Sequence, residues 1–281
     1  MKKIKYFLIT KSVGLYINVY SYFNTEKAKQ LAYTIFSQPR KRKLDKNNLP
    51  KSLQNATLEL FKYDNEDFHA YIWKGSKEII LLAHGWESNA SRWKKLLEHL
   101  KPYDHTIIAI DAPAHGLSSS SEFNAPKYAE FIHILAQKYN PKIIIGHSIG
   151  GTSIAFYLHK YKNDAIEKVV MLGAPSNFKK INDNFIQILS LNTKVKLLLE
   201  NYYQEKFNIN IDEFAGHLFA KNLKQKALIA HDYGDNVIQV EEGRLYAKAW
   251  KNSIYIETKG LGHSLHDENL YQKITAFITE E

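Results

Sequence analysis

Short aliphatic runs recur through the middle of this chain, and each is followed by a stretch whose apolar residues repeat at helical spacing. Ile79–Ala83, Ile107–Ile110 and Ile143–Ile145 are apolar without alternation, as strands buried on both faces are. The expected order is strand Glu78–Ala83, helix Ser91–Leu100, strand Thr106–Ile110, helix Lys127–Tyr139, strand Lys142–Ile145, helix Ile149–Tyr161 and strand Lys168–Leu172. Strands joined through helices build βαβ units, so the chain is expected to be an α/β protein with a mostly parallel, doubly wound sheet. Before this pattern, Thr57–Lys74 alternates around Asp64-Asn65 and predicts an antiparallel hairpin leading into the sheet.

From Asn177 to about Leu223 the alternation stops. That stretch is helical in pattern and rich in large apolar residues such as Phe178, Phe185, Leu198, Tyr203 and Phe207. An insertion of that length after the sixth strand is expected to be a helical cap and not a loop. The alternation resumes with strand Lys226–Ala230, helix Val240–Trp250, strand Ser253–Glu257 and a last helix from Asp267. A chain of 281 residues can bury one large core of this kind.

The net charge of +9 is concentrated at one end. Residues 1–51 hold twelve Lys or Arg against Glu26 and Asp45, whereas the rest holds 26 basic and 27 acidic side chains. The expected division is therefore a basic N-terminal helical segment, 1–51, and a near-neutral body, 52–281, that carries the cap at about 177–223. Ala28, Leu31, Ala32, Ile35 and Phe36 predict a helix from Thr25, with Thr25 as its N-cap, ending near Pro39. Arg40-Lys41-Arg42-Lys43 reads as a solvated linker. The opening Lys2, Lys3 and Lys5 and the apolar Tyr6-Phe7-Leu8-Ile9 are interrupted by Lys11 without a small-residue cleavage site, which argues against a signal peptide. Two readings of this segment stand: its helices pack on the body and leave the basic run as a wet surface, or residues 1–43, basic and aromatic, lie against an anionic membrane or meet an acidic partner. No run of about 18 apolar residues occurs. The absence of cysteine removes thiol chemistry and suits a reducing compartment, so the expected location is cytoplasmic, with membrane association as the alternative that the second reading of that segment brings.

Gly146-His147-Ser148-Ile149-Gly150 follows directly on the apolar run Ile143–Ile145. This G-x-S-x-G pattern places a serine on a tight strand-to-helix turn, where side chains two positions before and after it would clash. Ser148 would point up from the sheet edge, and the N–H of Ile149 would open the next helix, aimed where an oxyanion forms. A serine hydroxyl needs a histidine base and an acid that orients the histidine. Both are expected after later strands, and His231-Asp232-Tyr233-Gly234-Asp235 and Gly260-Leu261-Gly262-His263 stand there. Asp235, beyond the turn, is favoured as the acid over Asp232, which is read as capping that turn. His263 is favoured as the base over His266, read as a surface or capping residue of the last helix. The loop His84-Gly85-Trp86-Glu87 would supply a second oxyanion donor from the N–H of Trp86.

Other polar residues receive structural readings: His147 as a packed elbow residue, and Asp111 to Gly116 as a tight loop near the site. His84, Asp111, His115 and His231 lack metal-ligand spacing, and Gly146 to Gly151 lacks the Lys-Ser/Thr ending of a phosphate loop. No cofactor and no metal is expected. Nucleic-acid binding is not expected either, because the body is neutral and carries no recognised binding motif.

Over roughly residues 57–281 the chain resembles the α/β-hydrolase superfamily. The resemblance runs in order through His84-Gly85-Trp86, Asp111-x-Pro113-x-His115-Gly116-x-Ser118, Gly146-x-Ser148-x-Gly150, Asp235 and His263. It is nearest to bacterial single-domain hydrolases with a helical cap and His-Gly-Trp-Glu at the oxyanion loop. The resemblance implies an α/β-hydrolase fold and an acyl-enzyme mechanism, not a particular ester. The bulk of Trp86 departs from the family pattern and is expected to narrow the acyl side. The reading is a serine hydrolase of carboxylic esters, with Ser148, Asp235 and His263 catalytic, the N–H groups of Trp86 and Ile149 as oxyanion donors, and a small ester with an apolar group as substrate. An acyltransferase using the same residues and a non-catalytic binding protein on the same fold are the rival readings.

Overall fold

The computed structural model describes residues 2–41 and 43–280; Arg42, part of the expected basic linker, lies outside the described residues. The chain begins with α1 (Lys2–Phe23), α2 (Thr25–Ser37) and α3 (Lys51–Gln54), then the strands β1 (Thr57–Tyr63), β2 (Glu66–Trp73) and β3 (Lys77–Ala83). Next come α4 (Lys94–Leu100), β4 (His105–Ile110), α5 (Ala125–Tyr139), β5 (Ile143–His147), α6 (Ile149–Tyr161) and β6 (Lys168–Leu172). The insertion holds α7 (Phe178–Leu189) and α8 (Thr193–Phe207), followed by α9 (Gly216–Ala220). The chain continues through β7 (Lys226–Asp232), α10 (Val240–Ala249), β8 (Ser253–Thr258) and α11 (Glu268–Thr279).

These elements divide into two compact units, Met1–Gln38 with Asn177–Ala215, and Pro39–Ser176 with Gly216–Glu281. The second contains the sheet, in the order β1-β2-β4-β3-β5-β6-β7-β8. β1 and β2 form the expected hairpin, and β2 runs antiparallel to β4; every other pairing is parallel. The fold is thus the mostly parallel α/β arrangement read from the alternation.

Strand character follows position in the sheet. β5, paired on both sides, is buried at all its residues, while β8 at the edge alternates between exposed and partly covered positions. One face of the sheet presents Ile80, Leu82, Ile107, Ala109, Ile143, Ile145, Val170, Leu172, Leu228 and Ala230, all buried. Trp93 and the α4 residues Leu96, Leu97 and Leu100 close over it with Leu270, Ile274, Phe277 and Ile278 of α11. Each such aliphatic side chain removed from water contributes about 1.5–3 kcal/mol, so this layer holds the strand ends in register. Helix starts are set locally. The Asn124 side chain accepts the Lys127 N–H at the start of α5, and Asp267 accepts the Leu270 N–H at the start of α11.

The first unit joins residues distant in sequence. Ile17 of α1, Ala32 and Tyr33 of α2, Leu189 of α7, and Val195, Leu199 and Tyr203 of α8 form one buried cluster. Aromatic edges complete it, with Phe36 against Phe185 at 5.1 Å and Tyr33 against Tyr202 at 4.8 Å between ring centroids.

Three local expectations differ from the structure. The N-cap of α2 is Asn24, not Thr25: its backbone is extended and its side chain accepts the Lys27 N–H. The compact units divide after Gln38 and after Ala215, not at 51 and 223. Residues just past Pro39 belong with the sheet, where Lys43 bridges Gly116 and the Leu44 N–H donates to Gly116 O. α9 belongs there too, with Phe219 against Phe156 and His159. The described residues of the run from Arg40 to Lys43 are all exposed, as a solvated run is, but the linker is tied down at both ends. The Arg40 N–H donates to Glu87 and the Lys43 ammonium to Ser118 O.

Candidate active site

β5 ends at His147 and α6 begins at Ile149, so Ser148 alone makes the turn between them. It takes φ 53° and ψ −131°, a conformation that strains a non-glycine residue by about 1–3 kcal/mol. The turn is held by the Ser148 N–H, which donates to Leu172 O at 2.8 Å. A Cβ on Gly146 would lie 2.6 Å from the Gly151 nitrogen, and one on Gly150 would lie 2.3 Å from Ala83 O. The glycines on either side therefore permit the close approach that the turn demands, as the motif predicts.

His263 sits on a short 3₁₀ turn, Gly262–Ser264, after β8. Its Nδ1 is 2.7 Å from Asp235 Oδ2 and its Nε2 is 3.0 Å from Ser148 Oγ. The three side chains expected to work together, from three different strand ends, therefore meet. Asp235 Oδ1 accepts the N–H groups of Val237 at 2.8 Å and Ile238 at 2.9 Å. Burial works against charge on this carboxylate, but hydrogen bonds from His231, His263 and those two amides outweigh it and hold its pKa well below the usual carboxylate range. An ionised Asp235 can only accept, so the His263 Nδ1 carries the hydrogen and Nε2 is left to accept from the serine hydroxyl.

The competing residues have other work. Asp232 accepts from the Gly234 N–H through Oδ1, and from Thr258 Oγ1 and the Leu261 N–H through Oδ2. It caps the turn, as read, and also ties the end of β7 to the loop that carries His263. His266 does not cap α11 and is partly buried. Its Nδ1 is 2.5 Å from Tyr271 Oη, and Asp267 is the cap.

Two histidines and an arginine support this arrangement in ways the sequence reading did not assign. His147 Nε2 is 2.8 Å from the His263 backbone oxygen, which makes it the donor there. The two rings lie 4.9 Å apart between centroids. Arg92 Nη2 donates to Ser264 O at 2.8 Å, so the same loop is held from a second side. His231 Nε2 donates to Ile238 O at 2.9 Å and lies 3.4 Å from Asp235 Oδ2. Of these, only His147 carried a sequence signal, its place beside the elbow serine, and packing alone accounted for it.

The loop expected to supply an oxyanion donor follows β3. A Cβ on Gly85 would lie 2.8 Å from Ser148 Cβ, so the loop passes directly beside the serine. The Ile149 N–H opens α6, where no acceptor exists within the helix. Neutral histidines fix the loop: His84 Nδ1–H donates to Gly85 O at 2.7 Å while Nε2 accepts the Ala112 N–H at 3.0 Å. His115 Nδ1–H donates to Pro113 O and Nε2 accepts the Glu87 N–H. Asp111 accepts from the Ala90 and Leu117 N–H groups and from Tyr71 Oη. Asp111, His84 and His115 thus knit the loops after β3 and β4 together, a structural role that was read for Asp111 and His115 but not for His84. Among the described residues no group of three or more His, Asp or Glu is arranged to hold a metal ion.

Residues 78–207 match the family model of the α/β hydrolase fold. Over that segment, a little under half of its length, the chain is similar to the α/β hydrolases. A "putative non-heme chloroperoxidase" of Synechocystis is 30% identical over 135 residues, which is 46% of either chain. A human "serine hydrolase-like protein" is 32% identical over 102 residues, 34% of this chain and 49% of that one. The chain thus spans about half the length, or less, of the curated relatives it matches. Among solved structures, a "putative lipase" from Acinetobacter baumannii superposes with a TM-score of 0.62 at 18% identity, covering 83% of this chain and 98% of that one. The family match includes Ser148 but stops before Asp235 and His263. The placement of those two residues beside Ser148 therefore rests on the geometry above.

Burial sets the pH response of this site. It lowers the proton affinity of His84 and His147 well below the ordinary 6.5, and of His115 and His266 to about 4. It raises Asp111 from 3.8 to about 6. Between pH 4 and 6.5 the unfolded chain binds protons on the histidines that the folded chain refuses, so stability rises with pH there. Asp111 acts with the opposite sign between 3.8 and 6, but it is one group against four. The melting temperature should therefore climb from pH 4 to about 6.5 and level off above, with a slope of roughly 1.4 kcal/mol per pH unit for each excess proton. A scanning-calorimetry series that falls over that range would contradict these assignments.

Proposed function

We propose that the chain is a serine hydrolase of carboxylic esters. The observation that carries this reading is the His263 ring, with Nδ1 2.7 Å from Asp235 Oδ2 and Nε2 3.0 Å from Ser148 Oγ. The names of similar proteins, among them a "probable serine hydrolase" of Drosophila melanogaster, support the reaction class.

Ser148 Oγ attacks the ester carbonyl as its proton passes to His263 Nε2. The new C–O bond converts the carbonyl oxygen to an oxyanion, which accepts hydrogen bonds from the Trp86 and Ile149 N–H groups. Each such donor is worth about 2.7–4 kcal/mol of transition-state stabilisation in comparable sites. The intermediate collapses by breaking the bond to the alkoxy group, and His263 returns the proton to the departing alcohol. Water then attacks the acyl-serine, His263 takes its proton and gives it back to Ser148, and the carboxylic acid leaves. Throughout, Asp235 holds the imidazole tautomer and balances the imidazolium. No step requires a cofactor or a metal.

An apolar group on the ester fits the surroundings of the serine. Trp86 is 36% exposed and stands against Phe123 and His115 at 5.5 Å between centroids, which gives the oxyanion loop an aromatic outer wall. Against p-nitrophenyl esters, kcat/KM should rise from acetate to butyrate and hexanoate; a monotonic fall from acetate would remove the apolar-group reading.

Kinetics of variants test the reaction itself. Ser148→Ala should abolish turnover of the best of these esters, and Asp235→Asn, which frees the wrong histidine tautomer, should lower kcat by about 10⁴. Wild-type rates in either variant would exclude the proposed roles.

A further inference from the structure

α1 is built to be covered by something the chain itself does not supply. Its second half is anchored within its own unit: Ile17 is fully buried and Val13 packs beside it. Lys11 Nζ donates to the Gln187 and Ile188 carbonyls and to Ser190 Oγ. The side away from Ile17 and Val13, which Lys11 borders, is different. At 100° per residue, Ile4, Leu8, Leu15, Val19 and Tyr22 fall within one narrow sector of the helix. All five are between 51% and 69% exposed. An apolar stripe that runs the whole length of a 22-residue helix and faces water marks an interaction surface and not a chance exposure.

The charges on α1 say what kind of surface meets it. Lys2, Lys3, Lys5 and Lys11 are the only charged residues in its sequence, and the first acidic residue in the chain is Glu26. Two copies of α1 laid stripe to stripe would set one basic helix against another with no carboxylate on either to offset the charge. An anionic lipid surface satisfies both features, since the stripe enters the boundary between headgroups and acyl chains while the lysines meet lipid phosphates. Among the described residues no helix is long and apolar enough to cross a membrane, so the fit is to a helix lying in the plane of the surface. We propose that α1 is an in-plane anchor that binds anionic membranes through the Ile4–Leu8–Leu15–Val19–Tyr22 stripe and the lysines at its N-terminal end.

The test is co-sedimentation of the full chain with large vesicles of phosphatidylcholine alone and of equimolar phosphatidylcholine and phosphatidylglycerol. The protein should pellet with the phosphatidylglycerol vesicles, remain free with phosphatidylcholine alone, and be released as about 1 M salt screens the lysines. The double variant Leu8→Ser, Leu15→Ser removes two exposed side chains, so its melting temperature should match that of the wild type while its vesicle affinity falls about tenfold or more. Equal binding to both vesicle types, or unchanged affinity in the double variant, would overturn the proposal. So would the absence of vesicle binding together with a dimer in light scattering that the double variant abolishes, which would assign the stripe to a second copy of the chain.

Discussion

A hydrogen-bonded line from the Asp235 carboxylate through the His263 ring to the Ser148 hydroxyl makes demands that the surrounding fold exists to meet. Its three members come from the ends of β5, β7 and β8, and each link is at hydrogen-bonding distance. A line of this kind is sensitive to errors of a few tenths of an ångström. The parallel sheet answers that sensitivity. It carries the three strand ends to one edge, and the buried layer beneath them from α4 and α11 resists displacement because a close-packed interior yields little.

The loops are held as firmly as the strands. His263 is flanked by backbone contacts on both sides, His147 donating to its own carbonyl and Arg92 to that of Ser264. Asp232 fastens the same loop to the end of β7. On the other side of Ser148, three buried side chains fix the loop after β3. His84 and His115 are kept neutral by burial, and Asp111 is satisfied by three donors. Buried polar groups are costly unless fully bonded. Their concentration here indicates that positional accuracy beside Ser148 outweighs the stability that an apolar core would have contributed.

What could be read from sequence followed from how local each signal is. The elbow is five consecutive residues with a steric requirement, and the strand before it is a continuous apolar run, so Ser148 and its two glycines were legible at once. Asp235 and His263 were legible as occupants of loops after expected strands. What separated Asp235 from Asp232 in space, a carboxylate reaching the imidazole against one spent on its own turn, depends on side-chain direction that spacing alone leaves open. The second role of His147, the tie from Arg92 and the contact of His231 with Asp235 needed coordinates, since each joins residues from separate elements. The same holds for the first unit. Nothing in the spacing of Ile17, Tyr33 or Phe36 announces that they pack on helices near residue 190, and the charge step at 51 misled the boundary because Lys43 and Leu44 join the sheet. The N-cap of α2 went to Asn24 over Thr25 because the chain leaves the helix one residue earlier, and an asparagine in extended conformation reaches the free amides as well as a threonine does.

The central claim is that Ser148 is an activated nucleophile, and covalent labelling reads this without knowledge of the natural substrate. Incubation with a fluorophosphonate, followed by intact mass and peptide mapping, should add one phosphonyl group per chain, located on the peptide that contains Ser148. Loss of labelling on unfolding would follow, since the hydroxyl is then no longer paired with His263. A folded protein that stays unmodified, or carries the group on another residue while Ser148 is free, would contradict the account.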